Sequence, residues 1–204
     1  RSIVILFPHP TAGPTGGYKV VYEYANRLAE EGYQVGIVYS GSIYWSRKSL
    51  FHKITCCIRY IQKYLQGYSC RSWFTLDERI DEHFTYSLNQ RHVPKADIYV
   101  ATSPYTAYYL NEYNNLKNSY YFIQGYEDWG AGLRAILHDT YHYPLQKIVI
   151  ARWLQKMLKE RFNEASIWIP NGFDFTKFSL TISIQKKNRL LVSMLYHEME
   201  LKDC

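Results

Sequence analysis

The sequence predicts an α/β protein built on a Rossmann-like parallel sheet, and three observations near its start predict this class. Residues 2–7 form an unbroken apolar run ending at Pro8, as expected of a strand buried on both faces. A loop rich in Gly, Pro and Thr follows, and then a helical pattern. A second strand pattern begins at Gln34. Strands separated by a helix in this way pair in parallel.

The first helix is predicted from apolar residues that recur at helical spacing over residues 20–29. Glu30, Glu31 and Gly32 close it, and residues 34–39 form the second strand. The same criteria predict further strands and helices. The predicted strands are residues 97–101, 120–123, 147–151, 167–169 and 189–193. The predicted helices are residues 50–65, which have apolar residues along one side, a helix that begins at about Pro104, and residues 152–162.

The length of 204 residues allows one full α/β domain and a short remainder. Residues 1–178 are expected to form the Rossmann-like domain. Residues 179–204 are expected to be a polar linker and the first strand of a second, similar domain, with the chain stopping soon after that domain begins.

Composition narrows the class of protein. No stretch approaches the roughly 20 apolar residues of a membrane span. The opening residues are expected to form a strand rather than a signal peptide. The four cysteines lack metal-ligand spacing, which indicates reduced thiols in a cytoplasmic protein. The 21 tyrosines suit half-buried strands or a sugar-binding cleft, and composition leaves both open.

Charge is concentrated in one segment. Between Gly32 and Leu76 there is no acidic residue. The segment contains six basic residues, equal to the whole net charge of +6: Arg47, Lys48, Lys53, Arg59, Lys63 and Arg71. Three interpretations stay open: residues 47–71 lie on the anionic inner face of a membrane, bind an acidic glycan, or contain a core helix with a solvated basic face. No nucleic-acid motif accompanies the charge, so nucleic acid is not an expected partner.

The loop Gly13-Pro14-Thr15-Gly16-Gly17 lies between the first strand and the first helix. Glycines there let backbone N–H groups approach an anion, and the helix N-terminus favours one. Close packing alone would also explain them. The spacing differs from the dinucleotide fingerprint and from the nucleotide-cradling P-loop, and the second strand does not end in an acid.

Three ordered segments carry a resemblance to a known family. Gly16-Gly17 followed by Gly32-Tyr33-Gln34-Val35 is similar to the opening of the family 4 glycosyltransferases, which have the GT-B fold, with tyrosine replacing the usual histidine. Ile169-Pro170-Asn171-Gly172-Phe173-Asp174 with Phe178 resembles the family's Ile-Pro-Asn-Gly-Val-Asp…Phe signature. Asn and Gly tolerate the left-handed backbone that such a turn needs, so a purely structural interpretation of this segment also stays open. Residues 191–195 with Lys202 resemble the start of the C-terminal domain, although Asp203 stands where glycine is usual and no arginine is evident.

The resemblance implies retaining transfer from a nucleotide-sugar donor to a glycan or lipid-linked acceptor in cell-surface polysaccharide synthesis. It implies no metal or other cofactor. Gly16 and Gly17 would face the donor phosphates and Lys202 would contact the diphosphate. This chain alone is expected to be inactive, because most of the donor-binding half is missing. The alternative is a non-enzymatic Rossmann-like module that binds a glycan or polyanion.

A fourth segment adds the candidate acceptor side. Residues 122–127, with Gln124, Tyr126 and Glu127, look like the branch of the family associated with rhamnose-containing polysaccharides. The glutamine could bond sugar hydroxyls, and the glutamate could deprotonate an acceptor hydroxyl or merely cap the next segment. His138 and His142 are spaced to ligate a metal if helical, but loop histidines are the favoured interpretation.

Overall fold

The computed structural model describes residues 1–11, 13–40, 54–55, 58, 61–62, 65, 69–127, 131–175, 178–179 and 186. By its internal contacts the chain divides into a compact unit, Arg1–Asn171, and a second unit, Gly172–Cys204. The predicted linker, the predicted strand at 189–193 and Lys202 lie outside the described residues, apart from two linker positions. The predicted domain boundary after Phe178 therefore stays a prediction.

The first unit contains a seven-stranded, wholly parallel sheet in the order β3-β2-β1-β4-β5-β6-β7. This confirms the predicted Rossmann-like α/β class. The strands are β1 (Ser2–Phe7), β2 (Gln34–Ser40), β3 (Asp81–Thr85), β4 (Ile98–Ala101), β5 (Ser119–Ile123), β6 (Gln146–Val149) and β7 (Ile167–Trp168). The described helices are α1 (Gly16–Glu30), α2 (Pro104–Asn111), α3 (Ala131–Tyr141) and α4 (Arg152–Phe162).

The unbroken apolar run of β1 follows from its central position. Its alternate side chains enter two separate cores: Val4 and Leu6 face one, while Ile3, Ile5 and Phe7 face the other. A strand with a core on each face cannot show the polar alternation of a half-exposed strand.

The helices cover both faces of the sheet. α1 buries Val21, Tyr22 and two alanines in the core on one side. α2, α3 and α4 contribute to the core on the other side, through residues such as Leu110, Leu137 and Leu154. Because β1 and β4 are neighbours whose following helices lie on opposite faces, a crevice opens between their carboxyl ends.

The sequence did not predict two of the observed elements, β3 and α3. β3 is an edge strand whose first four residues are polar or partly exposed, so it lacks the apolar signal of the central strands. α3 contains Gly132 near its start and a His-Asp-Thr run near its end, all weak helix formers. The interpretation of His138 as a loop histidine was wrong, since it lies within α3.

Asn171 and Gly172 do not adopt the left-handed backbone that a turn at this segment would need. Within the described chain a positive φ occurs at Asn163 (54°) and at Gly32 (87°), which follow the ends of α4 and α1. A residue with left-handed backbone commonly follows the last turn of a helix. Residues 169–174 contain no turn, so nothing there demands it.

None of the helices in the described ranges is both long enough and apolar enough to cross a membrane.

Candidate functional site

The carboxyl edge of the sheet at the β1–β4 crevice is the place where open α/β proteins bind ligands. The glycine loop leaves β1 at this edge and enters α1. Gln124 follows β5 directly at the same edge, and Glu127 comes three residues later. Five of the six predicted site residues therefore follow the carboxyl ends of β1 and β5. The sixth, Lys202, lies outside the described residues.

The two helices that start beside the crevice differ in their capping. At α2, Ser103 and Thr106 form a capping box, so its first amides already have side-chain partners. At α1, the N-cap residue Thr15 makes no side-chain cap, and its hydroxyl donates instead to the Gly13 carbonyl at 3.3 Å. No described side chain accepts from the amides of Gly16 or Gly17. The N-terminus of α1 is thus the one suited to an anion.

Crowding does not explain the glycines at the start of α1 and in the loop before it. A Cβ added at Gly13 or Gly16 would meet no described heavy atom within 4 Å, and neither residue has a positive φ. At Gly17 an added Cβ would come 3.4 Å from the Gln124 Nε2, an ordinary contact. Close packing therefore does not account for the first two glycines, and the space beside them is open.

Gln124 contacts the start of α1 across the crevice. Its Nε2 donates a hydrogen bond of 3.1 Å to the Gly17 carbonyl, which is 107 residues away in sequence. The bond holds the side chain beside the helix terminus. Its Oε1 accepts no hydrogen bond from the described residues, so it can accept one from a ligand hydroxyl.

Tyr126 is held by a residue that the sequence analysis left out of the site. Its hydroxyl lies 2.8 Å from the Nε2 of His138 on α3. The imidazole in turn packs edge-on against Phe162, with ring centroids 5.2 Å apart. His142 has a different partner, Glu164, at 3.1 Å. The two histidines therefore do not converge on a common point.

Glu127 is an acidic residue at this edge whose pKa is shifted from its ordinary value. Burial raises the pKa of its carboxyl to about 7, and no hydrogen bond or ion pair to it is present among the described residues. The pKa of the buried Tyr121 hydroxyl is raised well above its ordinary value, first by burial and then by the charge of Glu127. A carboxyl with a pKa near 7 can release or accept a proton at neutral pH, as acid–base catalysis requires.

Two further groups at the carboxyl edge were missed. The Arg152 guanidinium lies 3.9 Å from the ring centroid of Trp168, which places a cation at the start of α4 beside the end of β7. Tyr18 donates a 2.6 Å hydrogen bond to the His9 carbonyl within the glycine loop. A basic residue in the first helical turn opposes the helix dipole, and that was the available signal for Arg152.

A second polar cluster serves the fold. The Glu82 carboxylate on β3 accepts hydrogen bonds from Tyr39, Ser69, Arg71 and the Cys70 amide, at 2.5 to 3.3 Å. These bonds attach the segment that follows residue 68 to the edge of the sheet. Burial raises the pKa of the free Cys70 thiol to about 12, so it stays protonated and unreactive at neutral pH.

The sequence matches no family model, and no curated protein is significantly similar to it. What this edge binds has to be inferred from its own residues.

Proposed function

We propose that residues 1–171 form the acceptor-side domain of a retaining glycosyltransferase that uses a nucleotide-sugar. The observation that carries the proposal is the uncapped, glycine-bearing start of α1 beside Gln124 at the β1–β4 crevice. Helix amides and the helix dipole favour a phosphate group. The open space beside Gly16 allows that group to approach the backbone.

The acceptor sugar would lie against the residues that follow β5. Gln124 can accept from one sugar hydroxyl through Oε1, and Tyr126, held by His138, offers a second polar contact. Aromatic rings with polar tips suit the mixed apolar and polar surface of a sugar.

Glu127 would act on the acceptor hydroxyl. In the proposed transfer the acceptor oxygen bonds to the anomeric carbon on the same face from which the diphosphate leaves, so configuration is retained. The bond from that carbon to the diphosphate oxygen breaks with its electrons on the diphosphate. The hydroxyl proton passes to the Glu127 carboxylate. A carboxyl with a pKa of about 7 is substantially ionised at neutral pH yet basic enough to take it.

The three ordered sequence resemblances, spanning the opening loop to Lys202, support the same proposal. They favour a glycan or lipid-linked acceptor, synthesis of a cell-surface polysaccharide, and action in the cytoplasm at the inner face of a membrane. The segment ending at Glu127 favours the branch associated with rhamnose-containing polysaccharides.

The test is Glu127→Gln in the full-length protein, assayed for transfer of labelled sugar from a panel of nucleotide-sugars. General-base catalysis contributes about 10²- to 10⁴-fold, so turnover is expected to fall by at least about 100-fold with the fold intact. Glu112→Gln, an exposed carboxylate at the end of α2, is the matched control and should retain full turnover.

Unchanged turnover in the Glu127 variant would remove its role as a base. Glycan binding without transfer from any nucleotide-sugar would favour the non-enzymatic binding module instead.

A further inference from the structure

A row of large aliphatic side chains is exposed in the segment between β2 and residue 69. Residues 54, 58, 61 and 65 each have helical backbone, and their sequence spacing of four, three and four is the spacing of residues that share one side of a helix. Their exposed fractions are large: Ile54 52%, Ile58 51%, Ile61 52% and Leu65 78%. We refer to these four residues as the apolar stripe.

The apolar stripe is not part of the protein interior. None of its four residues belongs to either buried core. The interpretation of this stripe as the buried face of a core helix was therefore wrong for these residues. Single exposed aliphatic residues are ordinary, but a one-sided row of four indicates a binding surface.

The charge of the surrounding sequence indicates what that surface meets. Residues 33–75 contain six basic residues and no acid. Arg71 is engaged with Glu82 and with the carbonyls of Leu76, Asp77 and Ile80, so it belongs to the fold. The other five basic residues precede or interleave with the stripe in sequence: Arg47, Lys48, Lys53, Arg59 and Lys63.

We infer that the apolar stripe docks on an anionic lipid bilayer. Aliphatic side chains on one side of a helix enter the boundary between headgroups and acyl chains, while neighbouring cations meet anionic headgroups. An acidic glycan would satisfy the cations but offers no apolar phase for Ile54, Ile58 and Leu65. A second copy of the chain would bring two basic segments together, and like charges repel.

The inference does not depend on the proposed reaction. The chain enters this segment from Ser40, at the same edge of the sheet as the β1–β4 crevice. A bilayer bound there would suit a lipid-linked substrate, but vesicle binding would stand even if no sugar were transferred.

The test is co-sedimentation of the 204-residue chain with vesicles of phosphatidylcholine, with or without phosphatidylglycerol, at about 0.1 M salt. The expected partition is at least about tenfold stronger with phosphatidylglycerol, and it weakens as salt screens the charges. The double substitution Ile58→Asn/Ile61→Asn is expected to lower that partition about tenfold or more, since it removes half of the inserting side chains.

Ile167→Asn is the matched control, because Ile167 is 51% exposed like Ile58 but lies on the edge strand β7. It should change the partition less than about twofold. If the double variant does not fold, Leu65→Asn replaces it, since that side chain is the most exposed of the four.

Three outcomes would overturn the inference: equal partition with and without phosphatidylglycerol, equal partition of stripe variant and wild type, or a stripe variant that alters only the oligomeric state. The last result would assign the stripe to contact between copies.

Discussion

Replacing Glu127 with glutamine is expected to stabilise the fold at alkaline pH and to leave it unchanged at acid pH. Burial holds the pKa of this carboxyl at about 7, against an ordinary value of 4.5. Below pH 4.5 the carboxyl is largely protonated and neutral in both the folded and the unfolded chain, so it does not affect the free energy of unfolding. As pH rises towards 7 the unfolded chain releases the proton while the folded chain keeps it. Wild-type stability therefore falls with pH over this range.

The size of the effect follows from the two pKa values. At about 1.4 kcal/mol for each pKa unit, the difference corresponds to about 3 kcal/mol in the free energy of unfolding. The advantage of the variant should grow from zero near pH 4 to about 3 kcal/mol at pH 8. Domains of this kind have a total stability of about 5–15 kcal/mol, so the change is readily measurable. Glutamine is nearly isosteric and uncharged, so packing changes little.

The assay is urea unfolding of wild type and Glu127→Gln at several pH values between 4.5 and 8.5, followed by circular dichroism. Glu23→Gln is the control, because it removes an exposed carboxylate from α1. It supplies the general effect of removing one surface carboxylate, against which the Glu127 variant is compared. Parallel stability curves for wild type and Glu127→Gln would refute the buried-carboxyl reasoning and, with it, the physical basis for a base at this position.

Two other substitutions separate binding from folding. Gly16→Ala adds a methyl group into open space at the start of α1, so stability should hold or rise by up to about 1 kcal/mol. Calorimetry on the full-length protein should nevertheless show weaker nucleotide-sugar binding, and unchanged affinity would argue against phosphate binding there. Glu82→Gln removes the charged acceptor shared by Tyr39, Ser69 and Arg71, so urea unfolding should show a loss of about 2–3 kcal/mol. A loss below about 0.5 kcal/mol would contradict a stabilising role for this cluster.

Elements with a strong apolar signal were predicted to within a residue or two. β1 and α4 have the predicted bounds: β1 buries five consecutive residues, and α4 buries Leu154 and Leu158 at the i, i+4 spacing of a helix. β3 was missed because its first four residues are mostly polar or partly exposed. α3 was missed because Gly132 and a His-Asp-Thr run interrupt its helix-forming residues near both ends. Their conformations depend on docking against the rest of the sheet.

Site residues divide in the same way. The glycines, Gln124 and Glu127 could be selected from residue type and from their position after predicted strands. The roles of His138 and Arg152 could not, because each depends on a contact with a distant element, Tyr126 and Trp168 respectively. The exposure of the apolar stripe was likewise undecided, since the same spacing describes a buried helix and a docking face.

The sequence by itself determined that this chain folds as a parallel α/β sheet with a glycine loop before its first helix, because apolar periodicity and glycine act locally. Only the tertiary structure decided which strands are neighbours. The order of seven strands brings Gln124 to the Gly17 carbonyl across 107 residues and leaves the Glu127 side chain half-buried, with its carboxyl pKa raised. Pairing of parallel strands depends on packing across the whole sheet, and no local run of residues encodes it.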